Sequence, residues 1–534
     1  MTGRTVLEDG RSLLSSGIAG VRMALSRPTA SDVATICCTL LVAVVVGSAL
    51  VGVGLAVFAT ASGLAGAVAT VLLASERPLV RAVGGVVAVP AALLIVLPVV
   101  LAGALVVSSG VGLFAGVTVW ALVVAGLASG LVSWRRLGDG GAGHGGTGAM
   151  LAAAGVVALV VVRVLPESTV RERAGDAAAD VFGTVWAVLV VADGSWAFVW
   201  FAVLLFASAL SVSSTLASLP LERLVPPDRA DRLDDAVEAA RRGCSYAVRI
   251  AIVLALAAFV VPAVSDRFLE FPTTPREVAT IVPAPVGTAL ATVVTLSALR
   301  LVLVALLIAA LSLAALEWGR RTLHHNVALA IARVSGPAIG AALIAVVAAL
   351  VLSLVGPDLE LAAALAGTAP PSVVDLVASL PPFALAAAVL VVALTALSAV
   401  LYSVTLLRAL RILPGRAIGG ALAAGSVFVL AIGLAVVDRV ELAIVTAVGA
   451  FVLWDVGEYA DVIRTELGRD ANTLRAELVH VVGTALSGAV VAGGTIVLYR
   501  WVGTTTPVTD PTSAAIALGT GLFAVVLVAW SLRG

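Results

Sequence analysis

Long runs of apolar residues recur along almost the whole chain, and they constrain its fold more than any other feature. The runs begin near Val33 and continue toward the C-terminus, and many reach the length of about 18 residues at which a helix can cross a bilayer core. They are continuous and rich in Ala and Leu, whereas the strands of a membrane barrel alternate. The pattern therefore predicts an all-α, polytopic transmembrane helical bundle.

Composition agrees with this fold class and limits the classes of partner that the chain is predicted to bind. Of the 534 residues, 61% are hydrophobic and only 12% are charged, whereas soluble domains are about one quarter charged. The three cysteines (Cys37, Cys38 and Cys244) match no metal-site spacing, so we predict no metal and no cofactor. No phosphate-loop, hydrolase or nucleic-acid-binding motif is present. The predicted partners are the lipid bilayer and other membrane or cytoplasmic proteins, not nucleic acid.

Charged residues, Gly and Pro divide the apolar sequence into about 14 predicted spans, with 12 to 14 as the range. The spans lie near residues 33–54, 56–75, 82–106, 111–133, 149–165, 195–218, 246–264, 287–316, 335–355, 383–407, 417–437, 441–454, 479–499 and 513–531. Residues 181–191 are also apolar, but they are predicted to form an interfacial or re-entrant piece before the sixth span.

The distribution of arginine predicts the orientation. All 32 basic residues are Arg, and with the N-terminus inside most of them fall in the inner loops. Because positively charged loops stay on the cytoplasmic side, we predict a cell-membrane protein with both termini in the cytoplasm.

The span pattern divides the chain into six segments. Residues 1–32 are predicted as a cytoplasmic interfacial amphipathic segment, 33–218 as the first transmembrane part and 219–245 as a cytoplasmic helical linker. Residues 246–454 form the second transmembrane part, 455–478 a cytoplasmic charged helical hairpin and 479–534 a C-terminal transmembrane pair. Within the first part, the Gly-rich stretch 138–148 is predicted to be a flexible linker. No loop is long enough for an independent soluble catalytic domain.

The charged stretch 454–480 is the main candidate functional site. Apolar residues at helical spacing predict that one helix continues past Trp454 and that a second begins near Thr473. Two carboxylates, and then a carboxylate and an imidazole, lie on single helix faces. The candidate functional or docking residues are Trp454, Asp455, Glu458, Arg469, Arg475, Glu477 and His480. Three interpretations remain open: a solvated hairpin with local ion pairs such as Asp461 with Arg464, a proton- or ligand-coupled site, and a metal site.

The same residues carry a resemblance. The block Trp454-Asp455-x-Gly457-Glu458, then Leu467-Gly468-Arg469, then Arg475-x-Glu477-Leu478-Val479-His480 resembles an uncharacterised family of multi-pass membrane proteins of halophilic archaea. The resemblance is specific over about 30 residues. It implies no activity, and the family's association with a MoxR-type ATPase and von Willebrand-like proteins implies a role in a membrane-bound assembly.

Arg300 is the candidate intramembrane charge, because it lies inside the predicted span 287–316. A charge at bilayer depth is costly and often functional. Asp193 is its nearest candidate partner. Alternatively, the long span would let Arg300 reach the outer interface with its flexible side chain.

Three functions follow from these features. The favoured one is a non-catalytic integral membrane protein that serves as a scaffold or subunit of a membrane assembly, because small residues in the spans favour close helix packing. A secondary transporter with a path near Arg300 is the alternative, and it would require a polar cavity at mid-depth. A membrane-embedded enzyme is the least supported, because no catalytic groups converge in the sequence.

Overall fold

The computed structural model of this chain describes residues 29–109, 113–134, 137, 140–164, 168–191, 197–219, 230–264, 285–324, 327–355, 371–409, 413–414, 416–467 and 473–505. Every regular element in these ranges is helical. The α-helices are α1 (Ala30–Val51), α2 (Val53–Leu73), α3 (Pro78–Ser109), α4 (Leu113–Leu131), α5 (Gly141–Val164), α6 (Ser168–Trp186), α7 (Ala197–Ser218), α8 (Ala230–Val264), α9 (Val286–Thr295), α10 (Ser297–His324), α11 (Val327–Val355), α12 (Pro371–Ser379), α13 (Pro382–Ala409), α14 (Ile418–Val436), α15 (Val440–Glu466) and α16 (Leu474–Thr505). A π-helical turn, Ala187–Val191, follows α6.

Twelve helices in the described part of the chain are long and apolar enough to cross a membrane, so the structure supports a membrane protein. One of them, Arg171–Val191, covers the stretch predicted to be interfacial or re-entrant. The predicted span 111–133 is the shorter apolar helix Ala115–Leu131, and 246–264 is the second half of α8. The predicted span 513–531 lies outside the described residues.

The helices belong to two compact units. Unit 1 comprises Met1–Leu159, Arg333–Leu354 and Ala386–Gly534, and unit 2 comprises Val160–Ala332 and Val355–Leu385. In unit 1, α14 packs against α15, α2 packs against α3 and α4, and α1 lies against α4, α14 and α15. α16 packs mainly on α15, and on its other side Val479, Val490 and Val497 are exposed among the described residues.

Antiparallel packing brings the helix ends of unit 1 to two levels. The starts of α1, α14 and α16 meet the ends of α4 and α15 through hydrogen bonds and ion pairs. We call this level the α1 end. At the opposite level, Arg500 of α16 forms a bidentate ion pair with Glu441 at the start of α15, with distances of 2.7 and 2.9 Å.

Small residues set how closely these helices approach. A Cβ atom on Gly457 of α15 would lie only 2.9 Å from the Cα atom of Gly420 in α14, and one on Gly126 of α4 would lie 2.0 Å from the carbonyl oxygen of Thr60 in α2. A real side chain at these crossings would force the backbones apart. Glycine is therefore required at both contacts, as expected for membrane helices that associate by close packing.

The Gly-rich stretch 138–148 differs from its prediction. α5 begins at Gly141, so most of the stretch is helical rather than a flexible linker. Gly145 packs against Thr70, and the carbonyl oxygen of Gly146 accepts a hydrogen bond from Ser398 Oγ at 3.0 Å. The glycines are needed for close approach between helices, and the lost conformational entropy is offset by that packing.

Unit 2 is built around α7, which packs against α8, α10 and the π-helical turn. Its core contains Phe198 and Phe201 of α7 with Leu303 and Val304 of α10. The apolar run 287–316, predicted as one span, is interrupted at Leu296, where α9 ends and α10 follows. This break places Arg300 in the first turn of α10.

Candidate functional site

The first part of the site is the N-terminus of α1, where Thr29 and Asp32 form two reciprocal capping hydrogen bonds. The Thr29 Oγ1 atom accepts a hydrogen bond from the Asp32 amide at 3.1 Å, and Asp32 Oδ2 accepts one from the Thr29 amide at 3.1 Å. Such a capping box satisfies donors that a helix start would otherwise leave free. Asp32 is fully buried, so its charge requires a further partner.

Arg464, near the end of α15, supplies that partner. Its guanidinium lies 3.0 Å from Asp32 Oδ1 and 3.3 Å from Asp461 Oδ1, and it donates a hydrogen bond of 3.1 Å to the carbonyl oxygen of Val132. Asp461 Oδ2 also accepts a hydrogen bond from the Ala417 amide at 3.2 Å. One half-buried cation between two carboxylates therefore joins α1, α4, α14 and α15 at the α1 end.

Glu477 performs a similar role for α16. Its Oε2 atom accepts hydrogen bonds from the amide and the hydroxyl of Ser31, at 2.7 and 3.0 Å, and its Oε1 atom accepts one from Thr473 Oγ1. Only 2% of the Glu477 side chain is exposed. This contact joins two residues that are far apart in the sequence, and it holds the start of α16 against the start of α1.

A second group of polar residues lies on the surface between α15 and α16. Asp455 Oδ2 accepts a hydrogen bond from Thr484 Oγ1 at 2.7 Å and lies 2.9 Å from His480 Nε2, although this second contact is not aligned as a hydrogen bond. The His480 ring stacks on Tyr459, with ring centroids 3.8 Å apart. Trp454 Nε1 donates to Glu458 Oε2 at 3.1 Å. We call these residues the α15–α16 polar face; they are Trp454, Asp455, Glu458, Tyr459, His480 and Thr484.

The two groups differ in exposure. The Asp32 side chain is 1% exposed and that of Arg464 11%, whereas the Asp455 side chain is 52% exposed. Trp454 and Glu458 are also exposed. The buried group is enclosed by contacts within unit 1, while the polar face presents carboxylates outward. Of these two groups, the polar face is therefore the one accessible to a second molecule.

The predicted site residues thus separate into distinct roles. The predicted pair of Asp461 with Arg464 is confirmed, while Glu477 binds Ser31. Arg475 is exposed at the start of α16. Arg469 lies outside the described residues. Within the described ranges, no group of three or more His, Cys, Asp or Glu side chains could hold a metal ion.

The helix boundaries of the predicted hairpin agree with the sequence. α15 continues beyond Trp454 to Glu466, and α16 begins at Leu474, one residue after Thr473. Gly468, Asp470 and Asn472, whose residue types favour the end of one helix and the start of the next, lie outside the described part of the chain.

Arg300 is fully buried and bound to backbone carbonyls, rather than extended along the protein surface as the interfacial alternative requires. Its Nε atom donates to the Val294 carbonyl oxygen at 2.8 Å and its Nη2 atom to that of Ala197 at 2.7 Å. The Nη1 atom donates to the carbonyl oxygens of Val188 and Leu189, both at 3.1 Å. These carbonyls lie at the end of α9, in the π-helical turn and at the start of α7; the first two positions are helix ends, where carbonyl oxygens lack intrahelical donors. The proposed partner Asp193 lies outside the described residues.

Sequence reasoning missed three polar residues that complete the buried group, namely Thr29, Ser31 and Asp32. Their spacing carries a usable signal, because Thr29-x-x-Asp32 before an apolar run is typical of a capping box. Asp32 falls at the boundary between the predicted segment 1–32 and the first span, so the span pattern predicts no functional role for it. The partnership of Ser31 with Glu477 joins distant parts of the chain and has no local signal.

Comparison with known proteins adds a partial family match. Residues 368–529 match the model of a family of unknown function, DUF7519. No curated protein matches the chain, and no solved structure matches it. The matched region contains α12 to α16 and therefore the whole polar face, so this part of the chain is similar to DUF7519.

Proposed function

We propose that this chain is a non-catalytic, multi-pass integral membrane protein that serves as a subunit or scaffold of a membrane assembly. Its partner would bind the α15–α16 polar face through a membrane-spanning or membrane-flanking helix that carries a basic residue. The observation that carries this proposal is the exposed Asp455 carboxylate, which lies between two apolar helices.

The depth of Asp455 explains why a partner is needed. Asp455 follows Glu441 by 14 residues in α15, which corresponds to about 21 Å at the helical rise of about 1.5 Å per residue. The hydrocarbon core is about 30 Å thick. If the pair of Glu441 and Arg500 lies at one interface, Asp455 lies several ångströms inside the other. Thr484 and His480 contact the Asp455 Oδ2 atom, but a half-exposed carboxylate at this depth stays unfavourable unless a further basic or hydrogen-bonding group covers its exposed side.

The interior of unit 1 supports a scaffold better than a transport path. The hydroxyls of Thr60, Thr70 and Ser129 are buried and donate to backbone carbonyls four residues earlier. Such bonds leave the side chains satisfied within their own helices. The polar groups of these helices are thus used for packing and do not converge on a substrate.

Arg300 gives the alternative function, a secondary transporter, little support. A guanidinium has five N–H donors, and four hydrogen bonds already tie Arg300 to backbone carbonyls. Little donor capacity remains for an anionic substrate. A membrane-embedded enzyme remains the least supported function.

The orientation in this proposal follows from charge. Arg77, Arg333, Arg416 and Arg464 all lie at or near the α1 end of unit 1, whereas Arg439 and Arg500 lie at the opposite end. By the positive-inside rule, the α1 end faces the cytoplasm. The polar face then lies near the cytoplasmic boundary of a cell membrane.

Affinity purification of the full chain from its native membrane tests the docking role. We expect the wild type to bring down a defined partner, and the double variant Asp455→Asn/Glu458→Gln to lose it, since both carboxylate charges are removed. Glu466→Gln is the matched control, because Glu466 is an exposed acid at the end of the same helix. Retention of the same partner by the double variant would exclude this face as the docking site.

A further inference from the structure

Arginine side chains gather where α3 begins beside α11. Arg77 directly precedes α3, Arg81 lies in its first turn and Arg333 lies in the second turn of α11. The amide of Arg81 donates to the carbonyl oxygen of Arg77 at 3.0 Å, and Arg333 Nε donates to that of Glu76 at 3.2 Å. The three arginines therefore occupy one corner of unit 1, at the α1 end.

The packing of the two helices fixes this arrangement. A Cβ atom on Gly340 of α11 would lie 2.1 Å from the carbonyl oxygen of Ala82, and one on Gly336 would lie 3.0 Å from that of Pro78. The helices run parallel in this register, so Arg333 lies about one turn nearer the α1 end than Arg81. Helical side chains lean toward the helix N-terminus, which brings the Arg81 guanidinium toward Arg333.

Two arginine side chains, Arg81 and Arg333, lie near each other in this corner, beside the backbone of Glu76. The Nε atom of Arg81 is buried and has no hydrogen-bond acceptor among the described residues. A buried donor without an acceptor is costly and indicates that the acceptor comes from another molecule.

We infer that Arg81 and Arg333 bind the phosphate of an anionic phospholipid headgroup. Guanidinium groups donate paired hydrogen bonds to phosphate oxygens, and the N-terminus of α3 adds favourable amide dipoles. The corner lies at the end of helices of membrane-spanning length, the level at which lipid phosphates are found. This lipid site is separate from the polar face and does not depend on a protein partner.

Native mass spectrometry of the full chain tests the lipid site. Purified protein is titrated with phosphatidylglycerol or with phosphatidylcholine in mixed micelles, and bound lipids are counted. We expect wild type to retain phosphatidylglycerol at least tenfold more tightly than Arg81→Gln/Arg333→Gln. Arg416→Gln is the matched control, because Arg416 is an exposed arginine at the same end of unit 1.

Several results would overturn the inference. Equal retention by the wild type and the double variant would exclude these arginines, and equal binding of both lipids would exclude recognition of a net anionic headgroup. Full competition by inorganic phosphate at the same concentration would assign the site to free phosphate. Size-exclusion chromatography monitors whether each variant folds. If the double variant does not fold, lipid retention by the single variants Arg81→Gln and Arg333→Gln and the phosphate competition with wild type decide whether the arginines bind the headgroup.

Discussion

The residue with the largest expected effect on stability is Arg300, because its side chain is fully buried and, among the described residues, its hydrogen bonds all go to backbone carbonyls. Its hydrogen bonds reach carbonyl oxygens at the end of α9, in the π-helical turn and at the start of α7. The guanidinium thus caps the end of α9 and the π-helical turn and ties both to the start of α7. Phe201 contributes a ring face 5.6 Å from the guanidinium carbon, a distance at which a cation is attracted to an aromatic face.

Replacement of Arg300 by Met removes every one of these donors. We expect a loss of about 3 kcal/mol in the free energy of unfolding, since several buried carbonyls would be left without a donor. Thermal unfolding in detergent measures the loss. Arg232→Met, at an exposed position of α8, should leave the midpoint nearly unchanged, and equal midpoints for the two variants would contradict the capping role.

The buried group at the α1 end gives a second prediction for single residues. Arg464→Met should cost about 3 kcal/mol, because it leaves the buried Asp32 carboxylate without its cation. The double variant Asp32→Asn/Arg464→Met should cost clearly less than the sum of the two single variants. A double-mutant cycle of unfolding free energies checks this coupling. Additive losses would show that the contact contributes nothing specific.

These residues show why sequence reasoning predicts the site only in part. Asp461 and Arg464 are three residues apart in one helix, so their pairing follows from helical spacing alone. The partners of Arg300 are backbone carbonyls made available by helix breaks, and no side chain in the sequence marks them. Residue-level roles that depend on distant backbone therefore could not be predicted.

At the scale of elements, the crossing of α14 and α15 depends on two facing glycines. Gly420 and Gly457 bring the two backbones so close that a Cβ atom on either would lie about 3 Å from the other Cα atom. This crossing lies at the level of the polar face, since Gly457 stands between Asp455 and Glu458 in α15. The close approach therefore fixes the position of the face relative to unit 1.

Gly457→Ala should destabilise the chain by about 1 to 3 kcal/mol, because the added methyl group overpacks the crossing. Gly449→Ala is a matched control in the same helix, where an added Cβ meets no atom within 4 Å. That control should be neutral or slightly stabilising, since Ala favours helix more than Gly. Comparison of the two unfolding midpoints checks the prediction, which would be wrong if Gly449→Ala lost as much stability as Gly457→Ala.

Element boundaries follow the sequence where apolar periodicity is long and uninterrupted, as in α15 and α16. The observed boundaries differ from the predicted ones where a residue type is common both in flexible linkers and at close helix contacts. Glycines at 141–148 favour a linker by local propensity, yet in α5 they permit close contact with α2 and α13. Tertiary packing overrides the local preference in that stretch.

At the scale of the whole molecule, the helix ends of unit 1 alternate along the chain between the α1 end and the opposite level. This alternation predicts which connecting segments lie on each side of the membrane. With the native cysteines replaced by serine, Glu466→Cys at the α1 end should react with a membrane-impermeant thiol reagent only after the membrane is permeabilised. Val437→Cys, between α14 and α15 at the other end, should react in intact cells, because that position is exposed. Labelling in the reverse pattern would contradict the cytoplasmic orientation of the α1 end.

The most direct test of the central proposal is photo-cross-linking from the polar face in living cells. A photoreactive phenylalanine analogue replaces Trp454, which is 39% exposed, and the same analogue at Ile432, an exposed position of α14, serves as the control. The proposed docking role predicts one discrete protein adduct from position 454, cross-linked at a helix that carries Arg or Lys, and no such adduct from position 432. Lipid adducts alone at both positions would contradict it.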